Sequence, residues 1–243
     1  MPPYRPAGKK AKETVFIRSQ VAELYPALSA RAARCFALGA QIESLYGLIL
    51  TTMLDADAKP AAAMYRSLTS LNAQSAAVQA AAEAVLDDDE LDVLAAISSL
   101  CNRAMKHRHR LAHWIWGSSF AYPEAIILID PVVLLEFETG AVRFTSPHDG
   151  RGLLDPFPVS SCYVYDEDAL EEAVRNLAEA ERLLAEFRVS VIPGVRERGG
   201  VHAGYEPLKE QPALKLELKA LAARRQNNQS KPTARPRKGR RHS

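Results

Sequence analysis

DDDELDVLAAISSLCNRAMKHRHRLAHWIWG, residues Asp87 to Gly117, decides how the rest of the chain is read. Asp87 followed three positions later by Glu90 forms a capping box, and the acidic run from Asp87 to Glu90 complements the positive end of a helix dipole. Leu94, Ile97, Cys101, Met105, Ala112 and Ile115 recur at helical spacing, so the stretch predicts one long amphipathic helix with Gly117 as its stop. With Cys101 at zero on the helical wheel, Arg108 falls at about −20°, inside the apolar stripe. An arginine there needs a partner. The candidates are Glu43, beside the stripe of an earlier helix, or an open cleft or subunit interface.

Outward from this helix, about Pro26 to Asp55 predicts another, with Arg31, Cys35, Leu38, Gly39, Ile42, Tyr46, Ile49 and Met53 on one face. Pro60 suits the first turn of an alanine-rich helical stretch from Ala61 to Leu86, interrupted near Asn72. After Gly117 the period changes. Ala125–Ile129, Val132–Glu138 and Ala141–Thr145 read as strands, with Asp130-Pro131 and Thr139-Gly140 as turns, and Val159–Tyr165 as a further strand. Asp166 caps a helix running to about Arg188, striped by Leu170, Val174, Leu177, Leu184 and Phe187. Residues 213–225 suit a short amphipathic helix on Leu214, Leu218 and Leu221, although Leu214, Leu216 and Leu218 also alternate like a strand. The expected fold is mainly α: an antiparallel four- to five-helix bundle with a small β insertion, about residues 121–165, before the last bundle helix. The domain divisions are an N-terminal arm (1–25), the helical domain (26–192), a loop with a short helix (193–223) and a disordered basic tail (224–243).

Composition supports an ordinary globular chain. Of 243 residues, 47% are hydrophobic and 25% charged, which excludes collagen-like, disulfide-scaffold and low-complexity classes. Cys35, Cys101 and Cys162 are widely spaced without a C-x-x-C pair, so a reducing compartment is expected. The basic N-terminus lacks a following apolar run, and no window reaches roughly 18 uninterrupted apolar residues. A cytoplasmic protein without membrane partners is the expectation. The formal charge of +2 conceals an asymmetry: Arg224–Ser243 carries eight Lys and Arg and no acid, leaving 23 basic against 29 acidic residues in the remainder. Arg235, Arg237, Lys238, Arg240 and Arg241 therefore form a candidate RNA-contacting arm, which binds polyanions by releasing counterions. A solubilising tail, or one folded back on its own acidic body, is the competing reading.

The chemistry concentrates at KHRHRLAHWIWG, Lys106 to Gly117. His109 and His113 are four apart, a spacing that suits metal ligands. Two histidines do not close a site, however, and the flanking arginines repel a cation, so neither metal nor cofactor is expected. Lys106 and Arg110 suit a basic, solvated helix end. Trp114 and Trp116 are candidates for packing or for stacking a base.

Arg108-His109-Arg110-Leu111-Ala112-His113 has the form arginine, polar residue, three residues, histidine. It resembles the R-x(4–6)-H signature of the HEPN superfamily, and RHRLAH followed by Trp and Gly is similar to the RN-x-x-AHG run of bacterial members. The resemblance covers mainly residues 26–117 and the helix at 166–188, and His109 replaces the commoner Asn or Asp. It implies a helical-bundle homodimer and metal-independent cleavage of single-stranded RNA, as in toxin–antitoxin and phage-defence proteins. An antitoxin or regulatory protein would be a further partner. On that reading His113 acts as base or acid, Arg108 stabilises the phosphorane-like transition state and His109 orients them. Arg110 and Trp114 contact RNA, and the products are a 2′,3′-cyclic phosphate and a 5′-hydroxyl. The alternative is a non-catalytic HEPN-like module that binds RNA, nucleotide or protein. Arg108 and His113 stand about 140° apart on an ideal helix, so convergence on one phosphate requires a loosened helix, a long arginine reach or a second subunit.

Overall fold

The computed structural model describes residues 3, 15–17, 20–68, 71–144, 162–190 and 206–229. In chain order these form β1 (Phe16–Ile17), α1 (Val21–Leu24), α2 (Pro26–Met53), α3 (Ala58–Ser67), α4 (Leu71–Val85), α5 (Asp88–His113), β2 (Ile115–Ser119), β3 (Tyr122–Ile129), α6 (Pro131–Phe144), β4 (Cys162–Tyr165), α7 (Glu167–Ser190), α8 (Glu206–Lys209) and α9 (Pro212–Gln229). The protein is mainly helical with a small antiparallel sheet.

Helix α2 starts with proline at its first position, where the missing N–H is no loss. Its buried face, from Leu28 through Cys35 and Ile42 to Met53, keeps the three-four spacing and packs on α7 and α5. By length and composition α2 is apolar enough to cross a membrane, and here its buried face belongs to the helical core. The expected Asp87–Glu90 capping box is present: Glu90 N–H donates to Asp87 Oδ1 at 2.8 Å, and Asp87 N–H donates to Glu90 Oε2 at 3.1 Å. Asp166 caps α7 through Ala169 N–H at 2.9 Å, and an Arg31–Glu167 ion pair ties that end to α2.

Among the described residues, four strands form a sheet in the order β1-β2-β3-β4, every neighbour antiparallel. From Ala125 to Ile129 strand β3 is buried on both faces, which explains the continuous apolar run there. Ile126 and Leu128, with Tyr165 of β4, join the helical core, whereas Ile127 and Ile129, with Val164 and Cys162, join a second core. That second core is roofed by Val133, Leu134 and Phe137 of α6.

Here the structure corrects the strand expectation. Val132–Glu138 and residues 141–144 are helix, Thr139-Gly140 lies inside it, and only Thr145 falls outside the described residues. Asp130-Pro131 starts a helix rather than a turn: Asp130 Oδ1 accepts from Val132 N–H at 2.9 Å, and its carbonyl accepts from Leu134 N–H. The spacing of Val133, Leu134 and Phe137 then lets one helical face cover the sheet, outweighing the β propensity of the valines.

Three boundaries also shift. Helix α5 ends at His113, and Ile115, assigned to its stripe, is on β2. The sheet begins before residue 121, because β2 starts at Ile115 and the N-terminal arm contributes β1 as its edge strand. Gly117 serves a close approach rather than a helix stop: a Cβ there would lie 2.9 Å from Val15 Cγ1 and 3.1 Å from the Phe16 carbonyl oxygen. The stretch 213–225 is helical within α9, with Leu214 buried and Leu216 exposed, which removes the strand alternative. This helix continues to Gln229, so residues 224–229 are ordered rather than part of a disordered tail. It runs antiparallel to α5. Glu217, buried, accepts from Ser99 Oγ at 2.5 Å and pairs with Arg103 at 2.7 Å, while Arg225 pairs with Asp92 at 2.5 Å.

Candidate functional site

Helix α5 delivers the histidine- and arginine-rich segment to the junction of α2, β2 and β4. The stem of Arg108 crosses α2 at Gly39, where a Cβ would stand 2.8 Å from Arg108 Cγ and 3.4 Å from Met105 Sδ. Its guanidinium meets the Glu43 carboxylate at 3.7 Å, the intrachain partner named from the sequence. The pair is long and half-solvated, with side chains 26% and 34% exposed. The buried Arg108 Nε has no hydrogen-bond partner among the described residues. Ala112, expected in the buried stripe beside Arg108, is exposed.

His109 and His113 are exposed on another face, their rings 4.7 Å apart between centroids and tilted by 51°. Helix α5 stays regular until Trp114, whose extended backbone ends it while its N–H donates to the Arg110 carbonyl at 2.9 Å. Because the helix does not loosen at Ala112, the five-residue step from Arg108 to His113 still turns through about 140°. Within one chain the structure brings the two histidines together and leaves Arg108 apart from them.

Arg110 is not a free, solvated charge. Its guanidinium stacks on Tyr163 at 4.1 Å and approaches Trp114 at 5.7 Å, and the two rings meet at 5.6 Å. Trp114 is therefore a half-buried packing residue as well as one wall of an aromatic platform. Trp116 fixes the turn into β2, its indole N–H donating to the Leu111 carbonyl at 2.9 Å. Behind the platform, His107 Nδ1 lies 3.2 Å from Tyr165 Oη. Burial and the Arg110 charge hold His107 below the ordinary imidazole value, opposed by Glu172. Burial pushes the Tyr165 hydroxyl up, opposed by its hydrogen bond with Arg110.

Tyr163 and Tyr165 belong to the site and were not among the residues singled out. Their alternation with Cys162 and Val164 put both on one strand face, but only the fold shows that this face meets the end of α5. Arg235, Arg237, Lys238, Arg240 and Arg241 lie outside the described residues. Among the described residues, no group of three or more His, Cys, Asp or Glu is placed to hold a metal ion. The cysteines suit packing rather than nucleophilic chemistry: burial pushes the Cys35 and Cys162 thiols up to about 12 and Cys101 to about 11. No family model, curated protein or solved structure matches this chain.

Proposed function

We propose that the protein is a HEPN-like, metal-independent endoribonuclease that cleaves single-stranded RNA as a cytoplasmic homodimer. In this reading α2, α5 and α7, with α4 and α9, form the antiparallel bundle. The observation that carries the proposal is the state of the RHRLAH segment at the end of α5. It presents a half-solvated arginine held by one long ion pair and, round the helix, an exposed pair of histidines. An exposed imidazole suits removal of the 2′-hydroxyl proton, and a planar guanidinium suits the charge growing on phosphorus. With α5 regular to His113 and the Arg108 stem held on Gly39, the 140° between the two faces favours a second copy over convergence within one chain. That copy brings its own α5 end to the cleft, supplying the acid when the first copy supplies the base. A toxin or phage-defence setting, with an antitoxin or regulatory partner, follows from the resemblance.

The rival is a non-catalytic RNA-binding module, favoured by the Arg110–Trp114–Tyr163 platform, which offers stacking without any acid or base. Wild type and His113→Ala, purified in parallel, are assayed on single-stranded RNA with EDTA present. The expected result is cleavage by wild type, with 2′,3′-cyclic phosphate ends, and its loss in the variant. Equal cleavage by the two preparations overturns the nuclease, and RNA bound but uncut by both supports the rival.

A further inference from the structure

A cleft of about 550 Å³ opens between α2, α3 and α4, lined among others by Glu43, Leu48, Ala62, Tyr65, Arg66 and Gln74. A smaller lobe shares Glu43, Tyr65 and Gln74 and continues to Met105 of α5. The volume lies in the range of small-ligand sites. The Arg108–Glu43 pair ties the cleft to the proposed nuclease site, because the carboxylate that neutralises Arg108 also lines the cleft.

The lining discriminates between ligands. Tyr65 is buried, its ring filling the gap at Gly47 and its hydroxyl donating to the Glu43 carbonyl at 3.3 Å, so it is wall rather than ligand contact. Leu48 and Ala62 supply apolar surface. Gln74 donates one amide N–H to the Leu68 carbonyl at 2.9 Å, which leaves its oxygen as an acceptor and its second N–H as a donor. Arg66 uses Nε on the Ala62 carbonyl at 3.2 Å and has no acid partner among the described residues. The described lining thus offers the Glu43 carboxylate as an acceptor, the Gln74 amide as acceptor and donor, an apolar wall and the Arg66 guanidinium as a cation.

We propose that this cleft is the base-recognition pocket of the RNA site and selects guanine, an inference that rests on the nuclease reading above. A carboxylate accepts best from two adjacent donors, and guanine alone among the four bases places a ring N–H beside an amino group on its pairing edge. Cytosine and adenine put a ring acceptor against the carboxylate, and uracil flanks its N–H with carbonyls. Guanine on Glu43 takes the oxygens that Arg108 now faces, turning the guanidinium toward the neighbouring phosphate. Arg66 serves a phosphate of the same nucleotide. Occupancy of the base pocket therefore releases the cation that cleavage requires.

Calorimetric titration of the full-length protein with GMP, AMP, CMP and UMP separates binding from cleavage. GMP is expected to bind at least tenfold tighter than the others. Glu43→Gln, which preserves shape, should lose that preference, and Arg66→Ala should weaken all four alike, with thermal melts confirming that both variants fold. Equal binding of the four nucleotides, no binding of any, or an unchanged preference in Glu43→Gln overturns the pocket. A guanine preference without RNA cleavage upholds the pocket and removes the nuclease. Cleavage with no guanine beside the cut sites removes the pocket and spares the nuclease.

Discussion

Replacing Arg108 by methionine separates a functional arginine from a structural one. Methionine keeps an unbranched stem to lie on Gly39 and Met105 and removes the guanidinium. Two terms then oppose each other. The lost ion pair, at 3.7 Å between side chains about a quarter and a third exposed, stabilises by only about 0–1 kcal/mol after solvent screening. The buried Nε without a partner costs on the order of 1–3 kcal/mol, and that cost disappears with it. The net change in stability should lie near zero or slightly positive, on the order of 1 kcal/mol. For a chain of this size, that moves the melting temperature by roughly 2–4 °C.

Activity should respond quite differently. Removing a preorganised cation from developing phosphate charge typically costs about 3 kcal/mol in the transition state, or about a hundredfold in rate. The assay pairs thermal and urea denaturation of wild type and Arg108→Met with cleavage of a single-stranded RNA by the same preparations. The expected outcome is near-equal melting with cleavage lost. The reasoning is refuted if Arg108→Met melts more than about 6 °C lower while the folded protein cleaves as wild type does. Arg108 would then be a core residue whose pairing with Glu43 holds α5 to α2.

Two further outcomes test the fold around the site. His107 titrates below the unfolded value of about 6.5, because burial and Arg110 disfavour its charged form. Its contribution is therefore complete above that pH and lost as pH falls below it, where the unfolded chain takes the proton first. The urea midpoint should drop between pH 7.5 and 5.5 by more in wild type than in His107→Gln, and equal drops would count against the buried neutral imidazole. Gly117→Ala should lower stability by about 1–3 kcal/mol through overpacking, since the new methyl meets the Phe16 carbonyl as well as Val15. Urea unfolding within about 0.5 kcal/mol of wild type would show that β1 does not pack on β2 this closely.

Local chemistry was legible wherever one segment carried the whole reason for its structure. Asp87 and Glu90 contain both halves of their capping box, and Asp166 reaches only to Ala169. The stripe of α2 needs only its own spacing to specify which face is buried. Even the Arg108–Glu43 pair could be anticipated, because an arginine within an apolar stripe demands a partner and Glu43 borders the facing stripe.

What the sequence could not decide depended on a partner distant in the chain. Val132–Glu138 has strand propensity, yet it became helix because the sheet's outer face needed a roof and residues three and four apart can provide one. Gly117 looked like a helix stop until β1, a hundred residues earlier, came to lie against it. The basic stretch beginning at Arg224 could be read as a free arm or as one folded back on the acidic body, and Asp92 lies beside Arg225 once α9 runs back along α5. The sequence by itself determined that arginine and histidine share the last turns of one helix. Tertiary structure alone decided that α2 claims the arginine, solvent keeps the histidines, and the arginine's counter-ion lines a cleft on α2, because each depends on which surface packs across the helix.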